Sequence, residues 1–278
     1  MPITISTNVV AIGVRRSLGK TSAALGQNFL RLASGLRVNS AADDAGSLGV
    51  ADRLTTDIRG LSKASQNANE GVSLAQVADS ALAETINSMQ RIRDLAVEAT
   101  GGTKSLTDRQ NLQIEVEEMI AEVDRIATEV KYNGLRLLAG SFANMDFQIG
   151  IDAGDTMRVT FLGASTQKVG LGPTGNSAQV STTTQATRTI LLIDSALDSI
   201  TSIRATIGGV QNRFESIINQ IQTMSDAYTS ARSGMMDANI AKETAEMTRN
   251  MILQQAGVAI LAQANLQPQL LLQLIRAP

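Results

Sequence analysis

The fold is decided by residues 240–266, IAKETAEMTRNMILQQAGVAILAQANL. Apolar side chains recur there in alternating steps of three and four residues, which predicts a long helix from about Ser233 to Ile275. The seam consists of Ile240, Thr244, Met247, Met251, Gln254, Val258, Leu261 and Asn265. Ile252, Leu253 and Ile260 lie off this seam, so the helix is apolar on more than one face. Such a helix needs other subunits to cover its surface.

A helix at the amino end, from about residue 4 or 8 to residue 36, is the expected partner of this last helix. Leucine recurs every seven residues at Leu18, Leu25 and Leu32. Gly35 is expected to end the helix, because glycine is favoured just past a helix C-terminus. The two seams predict a terminal coiled coil. The predicted self-assembly core comprises Leu18, Leu25, Phe29, Leu32, Met247, Met251, Gln254, Gln255, Val258, Leu261 and Asn265.

The amides of the last helix have two interpretations. Gln254, Gln255, Gln263 and Asn265 are either exposed polar positions or, once packed among neighbours, hydrogen-bonding groups that fix how subunits stack. The apolar seam would then supply affinity and the amides would supply registry.

The second helix shows the most regular pattern in the chain. Asp43 and Asp44 stand where they can cap its start after a short linker at 38–42, and Gly101-Gly102 ends it. Its seam runs through Ile58, Leu61, Ser65, Ala68, Val72, Ala75, Asp79, Leu82, Ile86, Met89, Arg93 and Ala96. This repeat predicts coiled-coil packing, in which the polar seam residues cost stability but can fix register.

Two further helices complete a predicted rod. Ser105-x-x-Asp108 and Thr107-x-x-Gln110 both fit a capping box that opens the third helix. Its stripe is Leu112, Val116, Met119, Val123, Ile126 and Val130. The fourth helix is predicted over 187–230 and is expected to pack antiparallel to the second. Its apolar positions are Ile190, Ile193, Leu197, Ile200, Ile203, Ile207, Val210, Phe214, Ile217, Ile221 and Met224.

One convincing β signal lies between the third and fourth helices. Alternating apolar residues on both sides of 152–155 predict a β-hairpin near 146–162, and Asn133-Gly134 marks an earlier turn. Residues 163–186 are rich in Gly, Ser and Thr and predict a loop. The predicted fold class is mainly α: an elongated rod of long antiparallel coiled-coil-like helices with one β-hairpin, plus a terminal helix pair. Residues 1–42 and 236–278 would form the terminal core domain, and 43–235 the rod domain.

Several motifs resemble those of bacterial flagellin, the subunit of the flagellar filament. They lie in family order along nearly the whole chain, except about residues 163–186. They are Leu32–Asp44 (LASGLRVNSAADD), Asn67–Gly71, Gln90–Leu95, Val123–Ile126, Tyr132–Gly134, Val210–Phe214 and Met251–Pro268. The resemblance implies that the terminal helices form the inner core of a filament and the rod the surrounding tube. Many flagellins carry large variable outer domains after the hairpin, so this chain resembles a short form without them.

The resemblance also implies partners and a surface patch. Flagellins use an export chaperone, the flagellar type III export apparatus, and hook-associated junction and cap proteins. Gln90, Arg91, Leu95 and Glu115 match positions where flagellins contact the flagellin-sensing Toll-like receptor of animals. The alternative interpretation is a rod-surface patch used for subunit stacking, and Asp94 stands where Glu is usual in the family.

Composition argues against several function classes. The chain has 278 residues without His or Cys, which removes the commonest general base, the thiol nucleophile and the usual transition-metal ligands. Glu115, Glu118 and Glu122 share a helix face that we expect to be solvated or in contact with a neighbouring subunit rather than metal-binding. Asp43 and Asp44 diverge on a helix, which favours capping over catalysis. We expect no catalytic residue, cofactor or metal.

Charge and hydropathy exclude two classes of partner. The net charge is −2 and no basic block is interleaved with aromatic residues, so no nucleic-acid footprint is expected. No apolar run reaches the roughly 20 residues that span a bilayer. Residues 1–14 lack the basic start of a secretory signal, so export is expected by another route.

The predicted function is that of a secreted structural protein that polymerises into the extracellular bacterial flagellar filament used for swimming motility. The closest alternative is a hook–filament junction protein of the same fold. A soluble coiled-coil adaptor is a second alternative, and an enzyme is the third and weakest.

Overall fold

The computed structural model describes residues 7–140, 142, 144–172 and 178–276, with 267–276 described as helical backbone. The elements, in chain order, are α1 Val9–Ser34, α2 Ala41–Thr100, α3 Leu106–Glu129, β1 Lys131–Tyr132, β2 Leu135–Arg136, β3 Met145–Gln148, β4 Thr156–Val159, α4 Thr183–Met236 and α5 Ile240–Arg276. The predicted mainly α fold with a hairpin and a terminal helix pair is confirmed. Two compact units form: Met1–Asp57 with Ala227–Pro278, and Ile58–Asp226.

The core of the unit Ile58–Asp226 follows the heptad repeats of α2 and α4. Every seventh residue is fully or almost fully buried along both helices, as the sequence predicts. These residues are Leu61, Ala68, Ala75, Leu82, Met89 and Ala96 on α2, and Ile193, Ile200, Ile207, Phe214 and Ile221 on α4. These seam residues therefore contribute directly to the hydrophobic burial that stabilises this unit.

Two ion pairs show that α2 and α4 run antiparallel. Arg204 donates to both carboxylate oxygens of Asp79, at 2.7 and 3.1 Å. Farther along α2, Arg93 Nε donates to Asp194 Oδ1 at 2.7 Å. As the residue number rises on α2, the partner's number falls on α4. The polar seam positions of α2 thus pair with α4 at two defined points, as expected for groups that fix register.

Close approach of the helices depends on one glycine. A Cβ at Gly71 would lie 2.4 Å from Cζ of Phe214, so no larger residue fits without displacing the ring. Phe214 also packs edge-on against Phe147, with 5.4 Å between ring centroids. The aromatic side chain therefore joins α2, α4 and the hairpin strand β3.

The hairpin β3–β4 lies at the predicted position, with Met145 opposite Val159 and Phe147 opposite Met157. A second, very short hairpin was not predicted: β1 and β2 pair with Tyr132 opposite Leu135. Its turn is the Asn133-Gly134 pair, with φ of 47° and 82°, which these residue types tolerate. Two-residue strands are too short to produce an alternating pattern, which is why the sequence shows only the turn.

Residues 163–186 differ from the predicted loop in two respects. The described parts of the segment, 163–172 and 178–186, pack on the core, where Ala164, Thr166, Val169, Leu171, Ala178 and Val180 are buried. Its last residues belong to α4, which begins at Thr183 rather than at residue 187. The start is earlier because the Thr182 hydroxyl accepts a hydrogen bond from the Gln185 backbone N–H (3.3 Å) and caps the helix.

The boundary between the last two helices also differs from the prediction. Ser233 lies in the final turns of α4, which continues to Met236, and α5 begins at Ile240. The Asn239 side chain accepts a hydrogen bond from the Lys242 backbone N–H (3.1 Å) and caps α5. The sequence pattern is apolar on both sides of this break, so periodicity alone does not reveal it.

Other helix ends agree with the sequence. Ser105 and Asp108 form the predicted capping box at α3, and Gly35 ends α1 in the left-handed conformation with φ 71°. The predicted start of α1 at Asn8 is confirmed, because its side chain accepts a hydrogen bond from Ala11 N. The alternative start at Thr4 lies outside the described residues. Within the described part of the chain, no helix has the length and hydropathy to cross a membrane.

Candidate self-assembly surface

The helices α1 and α5 form an antiparallel pair, here called the terminal pair. At one end, Asn8 Nδ2 donates to the Ala264 carbonyl at 2.7 Å. In the middle, a Cβ at Gly257 would lie 3.1 Å from Cδ1 of Leu18. Toward the other end, Arg31 Nη1 contacts Glu243 Oε1 at 3.4 Å. The α1 leucines at 18, 25 and 32 are half-buried in this interface.

The face that α5 turns toward α1 is not the predicted one. Between Glu243 and Ala264, one row of buried and half-buried residues follows steps of four and three: Glu243, Met247, Asn250, Gln254, Gly257, Leu261 and Ala264. Glu246 and Met251, which neighbour this row, are also half-buried. Ile240 and Val258, two members of the predicted seam, are each 53% exposed. The helix is therefore rotated by about one residue position from the most apolar arrangement, and its polar and small residues face α1.

The predicted core residues divide between the interface and the surface. The half-buried ones are Leu18, Leu25, Leu32, Met247, Met251, Gln254 and Leu261. The exposed ones are Phe29, Gln255, Val258 and Asn265. Gln263 is also exposed, so of the four amide residues only Gln254 lies partly within the terminal pair.

Large apolar side chains remain uncovered on the terminal pair. They are Val9, Val10, Ile12, Phe29 and Leu30 on α1, and Ile240, Ile252, Leu253, Val258, Ile260 and Leu266 on α5. On α5 they lie on both flanks and on the side away from α1. We define these residues as the uncovered apolar surface. Its chemistry suits hydrophobic docking of other helices rather than catalysis.

A buried polar cluster lies inside the terminal pair, and the sequence analysis missed it. Asn28 and Glu243 are 3% and 5% exposed. Asn28 Nδ2 donates to Glu243 Oε2 at 2.6 Å, and Asn250 Nδ2 donates to Asn28 Oδ1 at 2.9 Å. The available signal was a second seven-residue repeat on α5, formed by Glu243, Asn250, Gly257 and Ala264.

The connection between α1 and α2 is hydrogen-bonded to the connection between α4 and α5. Arg37 N donates to the Met236 carbonyl at 2.6 Å, and Ala238 N donates to the Gly35 carbonyl at 2.8 Å. The Arg37 guanidinium also donates to the Met235 carbonyl at 2.6 Å. A cation at these carbonyls is favourable, because the C-terminus of α4 carries partial negative charge.

Asp43 and Asp44 act as caps at the adjacent start of α2, as predicted. Hydrogen bonds from the backbone N–H of Asn39, then from Gln27 and Ser40, hold the pKa of the Asp43 carboxyl below its ordinary value. The hydroxyl and backbone N–H of Ser47 lower the pKa of Asp44 in the same way. Asp44 has extended backbone angles, φ −164° and ψ 98°, and so interrupts the helix that it caps.

The predicted patch on α2 and α3 is only partly on the surface. Arg91 donates to Glu115 Oε1 from Nε at 2.9 Å and from Nη2 at 2.6 Å, and Gln90 is exposed beside it. The prediction that Leu95 belongs to this surface patch is wrong, because its side chain is 1% exposed and lies in the core. The resemblance to a family position assigned Leu95 to the patch, but α2 packs inward at Leu95, four residues after Arg91.

The acidic face of α3 is largely paired with arginine. Arg125 bonds both Glu122 and Glu129, and these ion pairs raise the pKa of its guanidinium. Hydrogen bonding to Arg125 lowers the pKa of Glu122. Among the residues that the structure describes, no group of three or more His, Cys, Asp or Glu side chains could hold a metal ion.

Comparison with known proteins agrees with this geometry. Residues 5–143 match the bacterial flagellin N-terminal helical region, and residues 190–275 match the bacterial flagellin C-terminal helical region. The chain is 40% identical to flagellin FlaB1 of Treponema pallidum, over 98% of this chain and 99% of that protein. It is 37% identical to the flagellar filament 33 kDa core protein of Treponema phagedenis, with the same two coverages.

A solved structure shows the same fold. The flagellin of Bacillus cereus superposes with a TM-score of 0.50 at 28% identity, covering 56% of this chain and 88% of that chain. The two family regions leave only residues 144–189 between them. The chain belongs to the bacterial flagellin family.

Proposed function

We propose that the chain is the structural subunit of the extracellular bacterial flagellar filament and that the terminal pair drives its self-assembly. The observation that carries the proposal is the uncovered apolar surface. Eleven large apolar residues stand at least 48% exposed on two helices, and those of α5 are on more than one side. A subunit that keeps these side chains in water gains free energy when copies cover them.

Assembly is coupled to ordering of the terminal helices. The seam of α5 toward α1 contains a glutamate, two amides and a glycine, so the pair buries little apolar area inside one subunit. Such a pair is only marginally stable alone. Docking onto the growing end buries the uncovered faces and offsets the entropy of ordering. Repetition of one heterologous contact does not close, which produces an open helix.

The roles of the terminal helices and of the rod follow from the resemblance to flagellins. Residues 1–42 and 236–278 form the assembly core, and 43–235 form the surrounding rod. The role is structural rather than catalytic. A flagellin also implies an export chaperone, the type III export apparatus, and hook-associated junction and cap proteins as partners. The matched relative named as a filament core protein supports the filament assignment, since the two chains align over nearly their full lengths.

The patch of Gln90, Arg91 and Glu115 serves subunit stacking. Its side chains remain accessible, with 54% of Arg91 and 41% of Glu115 exposed. An exposed ion pair contributes little to stability, typically about 0–1 kcal/mol, so its charges are available to a neighbour. Arg91→Ala should weaken polymerisation while leaving the unfolding midpoint unchanged. Recognition by the Toll-like receptor of animals is tested separately, by a receptor reporter assay of soluble subunits with and without this substitution.

The function is tested by electron microscopy of purified protein during salting-out. We expect the intact chain to form long filaments, and the chain without residues 236–278 to stay soluble. Soluble small oligomers from both would contradict the proposal and indicate an adaptor. A junction protein is expected to add to existing filament ends without growing long filaments of its own. Seeding with preformed filament fragments distinguishes these results.

A further inference from the structure

We propose that Asn28, Arg31, Glu243 and Asn250 form a polar key that sets the rotation of α5 against α1. The inference deepens the proposed function and rests on it for its consequence. The key decides which residues of α5 face α1 and which face the next copy.

The first argument is that apolar burial alone would choose another rotation. α5 offers α1 either the repeat Glu243, Asn250, Gly257, Ala264 or the neighbouring repeat Thr244, Met251, Val258, Asn265. Met247, Gln254 and Leu261 belong to both arrangements. The second repeat carries more apolar surface, yet the first one faces α1. Of the second repeat only Met251 is half-buried, and Val258 stays 53% exposed. Something other than hydrophobic area must favour the observed arrangement.

The second argument is that the polar contacts exist only in the observed rotation. The Glu243 carboxylate accepts hydrogen bonds from Asn28 at 2.6 Å and from Arg31 at 3.4 Å. Asn250 Nδ2 donates to the amide oxygen Oδ1 of Asn28 at 2.9 Å. Turning α5 by one position would break these bonds and leave Asn28, which is 3% exposed, without them. A buried polar group that loses its partners is costly, and single buried polar residues select helix register in coiled coils.

The third argument concerns the connections. The backbone bonds between residues 35–37 and 236–238 fix where the two helices meet. They constrain position along the axis but not rotation about it, because α5 begins only at Ile240, beyond them. The key lies within the first turns of α5 and supplies the missing constraint. Its effect is to hold Ile252, Leu253 and Val258 outward, where other copies meet them.

The experiment uses engineered cysteine pairs, which the chain permits because it has no native Cys. L18C/G257C reports the observed rotation, since Leu18 already reaches the Cβ position of residue 257. L18C/V258C reports the alternative rotation. Both are oxidised in the full chain, soluble and polymerised, and the yields of intramolecular disulfide are compared on non-reducing gels.

In the wild-type background we expect L18C/G257C to give the higher yield. The key variant, N28A/E243A/N250A, should reverse that preference, because alanine removes the polar contacts and adds only small methyl groups, so the native face still carries less apolar area than the repeat with Met251 and Val258. A matched control, K20A/R249A/Q263A, changes three exposed polar residues of the same helices and should keep the wild-type preference. E243Q retains a side-chain oxygen that can accept the hydrogen bond from Asn28, so this variant should also keep the wild-type preference.

An unchanged preference in the key variant would overturn the inference. Loss of both disulfides in that variant would also overturn it, because the cluster would then hold the pair together rather than choose its rotation. Failure of the proposed function is a separate result: the wild-type chain would form no filaments while L18C/G257C still gave the higher yield.

Discussion

The uncovered apolar surface predicts that Leu253 and Ile260 act in assembly and not in the folding of the subunit. They lie seven residues apart on the same flank of α5 and are 51% and 54% exposed. Fully burying a Leu or Ile side chain is worth about 1.5–3 kcal/mol, so covering the exposed half is worth about 1 kcal/mol each. L253Q/I260Q should therefore lose about 2 kcal/mol per docked subunit, a factor of about 30 in critical concentration.

The measurement is the critical concentration for polymerisation, obtained by sedimenting polymer at a series of protein concentrations. Urea unfolding of the soluble subunit, followed by circular dichroism, should give the same midpoint as the wild type. L162Q/L191Q is a matched control, because it makes the same chemical change at two side chains that are 60% and 67% exposed in the other compact unit. We expect its critical concentration to change little.

An unchanged critical concentration for L253Q/I260Q would refute the reasoning about the uncovered surface. A large fall in its unfolding midpoint would also refute it, because these side chains would then pack within the subunit. An equal effect of L162Q/L191Q would show that replacing any exposed leucine or isoleucine with glutamine, and not the change on this flank of α5, weakens polymerisation.

Three smaller predictions concern the unit Ile58–Asp226. Gly71→Ala should lower the free energy of unfolding by about 1–3 kcal/mol, because its Cβ would lie 2.4 Å from the Phe214 ring. Gly209→Ala, a control with no neighbour within 4 Å, should raise it by up to about 1 kcal/mol in the same urea titration. Ser105→Ala should cost about 1 kcal/mol by removing the cap of α3. The backbone N–H and hydroxyl of Ser105 hydrogen-bond the Asp108 carboxylate and lower its pKa. The stability that the Asp108 carboxylate contributes is therefore complete above the ordinary aspartate pKa and is lost as pH falls through the lowered pKa. An NMR titration of Asp108 with a normal midpoint would contradict this.

Where one repeat dominates, the sequence was sufficient. The seams of α2 and α4 were predicted correctly because each helix has a single strongly apolar stripe, and burial follows such a stripe. The capping box at Ser105 and the end of α1 at Gly35 were also predicted, because caps depend on residues within one turn. These features are local, and local physics determines them.

For residues 163–180, the sequence did not predict the tertiary packing. Gly, Ser and Thr have no periodic apolar signal, so the sequence indicated only a loop. In the structure the segment is tied to α3: Thr166 Oγ1 donates to Asp124 Oδ1 at 2.9 Å, and Val180 N donates to Gln113 Oε1 at 2.6 Å. Small side chains are buried there by contacts distant in sequence, which composition does not encode.

The sequence by itself determined that the last helix of this protein favours association with other helices, since α5 carries apolar residues on several faces. Only the tertiary structure decided which face turns toward α1. Periodicity cannot choose among several apolar faces, and the most apolar choice was wrong at Val258. The decision depends on Asn28 and Glu243, which lie 215 residues apart and meet only when the two ends of the chain are brought together.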